Sequence, residues 1–179
     1  MKPISLKLKK AAAEAAIVAL TSFIGPRQLH VVRTCMRGEE KEFFFDKMIA
    51  LAALTGSMPK TYGQDGMGDN AIVSLHYFAG GSANWWITEK DAGSGDPADT
   101  DTGQHQAFGL ANLFGGPTDQ DAELGYISIA EIIAHGGELD FHFKPRTLGE
   151  LKAGREPAEI IGAVPFPATT RHASIIASL

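Results

Sequence analysis

Three side chains have the types that hold a divalent transition metal: His76, Asp140 and His142. Two imidazoles and one carboxylate make the facial set found at non-haem iron sites. Asp140 and His142 are two residues apart, so on a strand they share a face, and His76 falls on the outward face of another strand pattern. The set closes only if those strands are neighbours. Histidines on a solvated sheet face are the default for such residues, so the sequence assigns no metal. Glu89 and Glu123, each at the end of a strand pattern, have the composition of a general acid–base pair. Strand-end carboxylates are common without that role, and no catalytic residue is assigned. Asp96, Asp99 and Asp101 resemble part of a calcium loop, but Gly103 comes too early and no glutamate closes it. There is no GxSxG, HExxH, Walker loop or GxGxxG, and no cofactor is expected.

The carboxylates are more informative as a group. Net charge is −5 over 179 residues, but it is unevenly placed. Residues 1–60 sum to +5, residues 61–140 to −12, and residues 141–179 to +2. In residues 61–140, Lys90 is the only Lys or Arg beside thirteen acids. Such a region repels a phosphate backbone, so direct nucleic-acid binding through it is not expected. The carboxylates are either solvated or face a basic partner. Asp91, Asp96, Asp99, Asp101, Asp119, Asp121 and Glu123 are the candidate partner-binding residues.

The elements that must position these groups read as α+β: an antiparallel sheet of four to five strands, N-terminal helices and short C-terminal helices. A hydrophobic fraction of 44% and a charged fraction of 21% suit one globular domain. The lone cysteine, Cys35, has no disulfide partner and reads as a small buried hydrophobe. Lysines followed by an Ala-rich run imitate a signal peptide, but Glu14 interrupts the run and no small-x-small cleavage site follows. Lys7–Leu20 therefore reads as a helix, with a cytoplasmic location and no membrane span expected.

Gln28–Met36 is β-prone and reads as a strand. Glu39–Leu54 reads as a helix burying Phe44, Met48, Leu51 and Ala52, with Gly56 as its stop. From Ala71 a strand pattern places Val73, Leu75 and Tyr77 on one face, and a turn at Ala79–Ser82 leads to a returning strand, Asn84–Lys90. One of Trp85 and Trp86 must face the core and the other a second surface. Further strands are expected over Gln106–Phe114, where Gly109 marks a bulge or close backbone approach, and over Glu123–Ile127 and Glu138–Lys144. Capping boxes at Ser128/Glu131 and Thr147/Glu150 start two short helices. Residues 1–57 read as a helical extension packing on a core domain of residues 58–154, and 155–179 as an extended tail.

The ordered series His76–Asp91 (HYFAGGSANWWITEKD), Gln106–Gly109 (QAFG), Ala122–Ile129 (AELGYISI) and Glu138–Leu151 (ELDFHFKPRTLGEL) resembles domain-of-unknown-function family 2958. These are small proteins of conjugative plasmids, integrative elements and phages. The resemblance spans roughly Met58 to Lys152 and carries no catalytic residues with it. It implies a genomic setting rich in anti-restriction and other anti-defence proteins. Joined to the acidic middle region, it leads to the expectation of a mobile-element accessory protein, of anti-restriction or anti-CRISPR type, that inhibits a basic nucleic-acid-handling host protein. The alternatives are a small metal-assisted enzyme using His76, His142, Asp140 or Glu89, and a module that self-associates through a spare tryptophan and the first helix.

Overall fold

The computed structural model describes residues 5–93 and 103–155. Ser5 caps the first helix: its hydroxyl accepts from the Leu8 N–H, satisfying one of the donors a helix start leaves open. Helix α1 (Leu6–Ala19) turns Ala13, Ala16 and Ile17 inward at helical spacing. Helix α2 (Pro26–Cys35) stands where Gln28–Met36 read as a strand. Pro26 occupies a position where its missing N–H costs nothing, and Leu29, Val32 and Met36 recur with a helical period toward the core. That period overrides the β preference of the two valines. Cys35 lies at the end of α2, half-buried.

Helix α3 (Lys41–Ser57) buries Phe45, Met48, Leu51 and Thr55. Phe44 and Ala52 pack half-buried beside that stripe, so its centre lies one residue from the expected line. Phe43 is exposed, with the Lys47 ammonium 5.7 Å from its ring centroid. The helix runs through Gly56 because the Lys90 ammonium donates to the Thr55 and Gly56 carbonyls, at 2.6 and 2.8 Å. A cation there satisfies the last carbonyls and suits the helix dipole. Partial burial, with help from Lys60, lowers the Lys90 pKa below its ordinary value.

The strand expected from Ala71 is two strands, β1 (Ile72–Val73) and β2 (Leu75–Ala79). Ser74 divides them, its N–H bonded to the Ile87 carbonyl. Val73 is thereby turned into a different core from Leu75 and Tyr77, which simple alternation would have kept together. Strand β3 (Ala83–Glu89) returns from a turn in which Gly80 and Gly81 adopt φ of 58° and 87°, a region open to glycine. The remaining elements are β4 (Ala107–Asn112), β5 (Glu123–Ile127), α4 (Ile129–Ala134), β6 (Glu138–Leu139), β7 (Arg146–Thr147) and α5 (Leu148–Lys152).

The architecture is α+β: a five-stranded antiparallel sheet in the order β5-β4-β3-β2-β6, and a two-stranded sheet of β1 with β7. Strand β6 is much shorter than the expected Glu138–Lys144. The Asp140 carboxylate accepts the His142 N–H at 2.8 Å, a local turn that competes with the ladder. Phe141 then packs on one core and Phe143 on the other.

The large sheet has apolar packing on both faces. On one face, α1–α3 and α4 bury Leu75, Tyr77, Ile87, Ala107, Ile127 and Leu139. On the other, β1, β7 and α5 cover Trp86 and Leu110 with Val73, Leu148 and Leu151. Each leucine, isoleucine or valine among them stabilises the fold by roughly 1.5–3 kcal/mol. Tyr77 is fully buried and its hydroxyl donates to the Phe23 carbonyl at 2.7 Å.

The two sheet edges differ. Beside β6, the Gln28 side-chain amide takes both the N–H and the C=O of Leu139, at 3.1 and 2.7 Å. It does for that edge what a further strand would do. Among the described residues no strand pairs with the outer side of β5.

Candidate partner-binding cleft

Strand register sets the site. Trp85 of β3 pairs with Ala111 of β4, and Ala111 pairs with Glu123 of β5. The three side chains form one row on the same face of the sheet. Strands are about 4.8 Å apart, so the Trp85 and Glu123 backbone positions stand about 10 Å from each other, with the Ala111 methyl the side chain between them in the row. Around this row lies a cleft of about 650 Å³, whose walls include Phe114, Asp121, Glu123, Glu131 and His135. The next position along β5 on this face is Gly125, where a β-carbon would meet nothing within 4 Å, so no side chain of β5 fills the space at that position.

Three carboxylates therefore face an aromatic floor. Glu131 is there because its capping box is incomplete. Ser128 accepts the Glu131 N–H at 3.2 Å, but no bond returns from the Glu131 carboxylate to the cap, as the Thr147/Glu150 box requires and achieves. Asp121, Glu123 and Glu131 are all exposed, and no ion pair involves them among the described residues. Sequence reasoning included Asp121 and Glu123 among the binding residues and missed Glu131, because the capping pattern assigned its side chain elsewhere.

The other candidates fare differently. Asp91 is a loop staple: its carboxylate accepts from the Gly93, His105 and Gln106 N–H groups at 2.8, 3.1 and 3.0 Å. Asp119 accepts the Gly116 N–H at 2.6 Å and holds the turn after β4. Asp96, Asp99 and Asp101 lie outside the described residues.

Glu89 and Glu123 form no acid–base pair. Glu89 shares a row with Phe108 and Tyr126, on the opposite face from Glu123. It is only 4% exposed and accepts the Tyr62 and Gln64 N–H groups at 2.7 and 2.5 Å. Those bonds hold Tyr62 at φ 73°, a conformation that costs a non-glycine residue about 1–3 kcal/mol. The Gln64 side chain repeats the Gln28 device, bonding both the N–H and the C=O of Ile72.

His76 and Asp140 do meet, because β2 pairs with β6 at the sheet edge: Nδ1 lies 3.1 Å from the carboxylate. His142 does not join them. It is exposed beyond the turn, and among the described residues no group of three or more His, Cys, Asp or Glu side chains is placed to hold a metal. The second ring nitrogen of His76 lies 2.9 Å from the Asn84 side-chain oxygen, whose amide is oriented by bonds to the Ser82 and Gly115 carbonyls. Both nitrogens thus face acceptors, and the ring stacks on Trp86 at 5.4 Å. This is a packed histidine whose two nitrogens both lie against protein oxygens, of which a neutral imidazole donates to one, and neither nitrogen is open to a substrate. Of the two tryptophans, Trp86 is the buried one and Trp85 floors the cleft.

The fold and site define an α+β protein with an acidic, aromatic-floored cleft beside an open sheet edge. Comparison with family profiles, with curated proteins and with solved structures gives no match to this chain. Among the described residues no helix is long and apolar enough to cross a membrane.

Proposed function

We propose that this chain is a binding protein that captures a basic partner by accepting a cationic side chain between Glu123 and Trp85. The row Trp85–Ala111–Glu123 carries this reading. A guanidinium set above the Ala111 methyl is attracted by the indole face on one side and paired with carboxylate on the other. Asp121 and Glu131 add to the field that draws such a group in. The resemblance to mobile-element proteins supports a more specific setting, in which the partner is a nucleic-acid-handling host protein and capture inhibits it. A basic side chain that otherwise pairs with a phosphate is met here by the three cleft carboxylates, with fast and salt-sensitive association.

The test is affinity capture from host lysate at low salt, with wild-type protein and an Asp121→Asn/Glu123→Gln/Glu131→Gln variant. A basic protein retained by the first and lost by the second, and released as salt rises, is the expected outcome. Equal retention by both would sink the reading.

A further inference from the structure

Resting on that cation-capture reading, we infer that the partner binds as an extended segment that adds as a strand to the outer edge of β5, with alternating basic and apolar residues. The edges point to this mode. The β6 edge is closed by the Gln28 amide, while alternate N–H and C=O groups of β5 face outward with no strand beside them among the described residues. An added strand is the occupant that satisfies such a row of donors and acceptors.

The two faces of β5 then specify the segment. An added strand sends successive side chains to opposite faces. On the cleft face β5 presents Glu123, then Gly125 with open space where a side chain would stand. A long side chain opposite Gly125 can lie over β5 and pair its charge with the Glu123 carboxylate at the mouth of the cleft; of the residues with that reach, arginine and lysine complement the carboxylates. On the other face β5 presents Leu124 and Tyr126, both exposed, flanked by Tyr62 at 73% exposure. The Tyr62 and Tyr126 hydroxyls are 2.5 Å apart, and Phe108 meets Tyr126 edge-to-face at 5.7 Å. That bond, followed by desolvation and the nearby Tyr62 and Glu89, raises the Tyr126 pKa above its ordinary value, so the phenol stays neutral. Side chains reaching Tyr126 and Tyr62 meet a neutral aromatic surface and are apolar, while Leu124 lines a shallow cleft with Asp119 and Lys152. The buried Glu89 carboxylate holds the strained Tyr62 backbone that completes that surface.

Two peptides of the same composition separate the possibilities: an alternating Arg/Val heptapeptide and one with its arginines and valines in two blocks. Binding is followed by tryptophan fluorescence and by hydrogen exchange at the β5 amides of the full chain. The alternating peptide is expected to bind about tenfold tighter than the block peptide and to protect β5 amides. Glu123→Gln and Leu124→Asp, both at exposed positions, should each weaken it, with the fold checked by circular dichroism. Equal binding of both peptides with unchanged β5 exchange would overturn strand addition and leave cation capture standing. Binding of neither would overturn both. Protection of β5 that appears without peptide and grows with protein concentration would show a second copy on that edge, and would also overturn the proposal.

Discussion

Tyr77 and Glu89 show how much single buried polar groups govern this fold. Burial pushes the Tyr77 phenol well above its ordinary pKa, so the folded state keeps a proton that the unfolded chain releases. The resulting stability is present in full below about pH 10, the unfolded value, and is lost as pH rises beyond it. Alkaline titration should therefore show Tyr77 ionising, by absorbance near 295 nm, together with loss of the circular dichroism signal; ionisation ahead of unfolding would contradict this. Tyr77→Phe removes that phenol but strands the Phe23 carbonyl, at a cost of about 1–3 kcal/mol. Glu89→Gln keeps an acceptor for one of the two N–H groups and turns an amide donor toward the other, so a loss of about 1–3 kcal/mol is expected in denaturant melts. Neither glutamine bridge, Gln28 nor Gln64, was legible in the sequence. Each partner is set by tertiary placement, and in the case of Gln28 it lies 111 residues away.

At the scale of elements, the two capping patterns look alike in sequence and behave differently in the structure. Glu150 completes its box and Glu131 does not. Glu150→Ala should therefore lower stability by about 1 kcal/mol, while Glu131→Ala should leave it nearly unchanged and weaken basic-partner binding. Thermal melts of the two variants test this directly. Local spacing was a good guide where one face met one core: α1, α3, the β2–β3 hairpin and the close approach at Gly109 were readable from it. At Gly109 a β-carbon would collide with the Trp86 carbonyl. Spacing misled wherever the chain moved between the two cores. Val73 and Phe143 share an inward pattern with their neighbours, but pack on the far side of the sheet. The strand reading of α2 failed because local β preference was weighed above the period of Leu29, Val32 and Met36. The cleft was half legible: the acid-rich stretch was visible, but the row joining Glu123 to Trp85 depends on register across three strands.

At the scale of the whole molecule, the acids of residues 61–140 that the structure describes do not form one continuous surface. Asp91 and Asp119 hold turns, Glu89 is buried, Asp140 meets His76 and Asp69 pairs with Lys152. The carboxylates left facing an apolar wall are those of the cleft. Salt should therefore act on partner binding mainly through three groups: neutralising Asp121, Glu123 and Glu131 should flatten the dependence of the association rate on ionic strength, measured by stopped flow. Neutralising the exposed Asp65 instead should change it little. The Asp91 staple has an engineering consequence. It ties Gly93 to His105 and Gln106, so the chain leaves and re-enters the sheet through a pinched neck. Added length beyond such a neck costs little, since closure entropy grows only with the logarithm of loop size. A short epitope or fluorophore-binding tag grafted between residues 94 and 102 should leave the melting temperature within a few degrees of the parent.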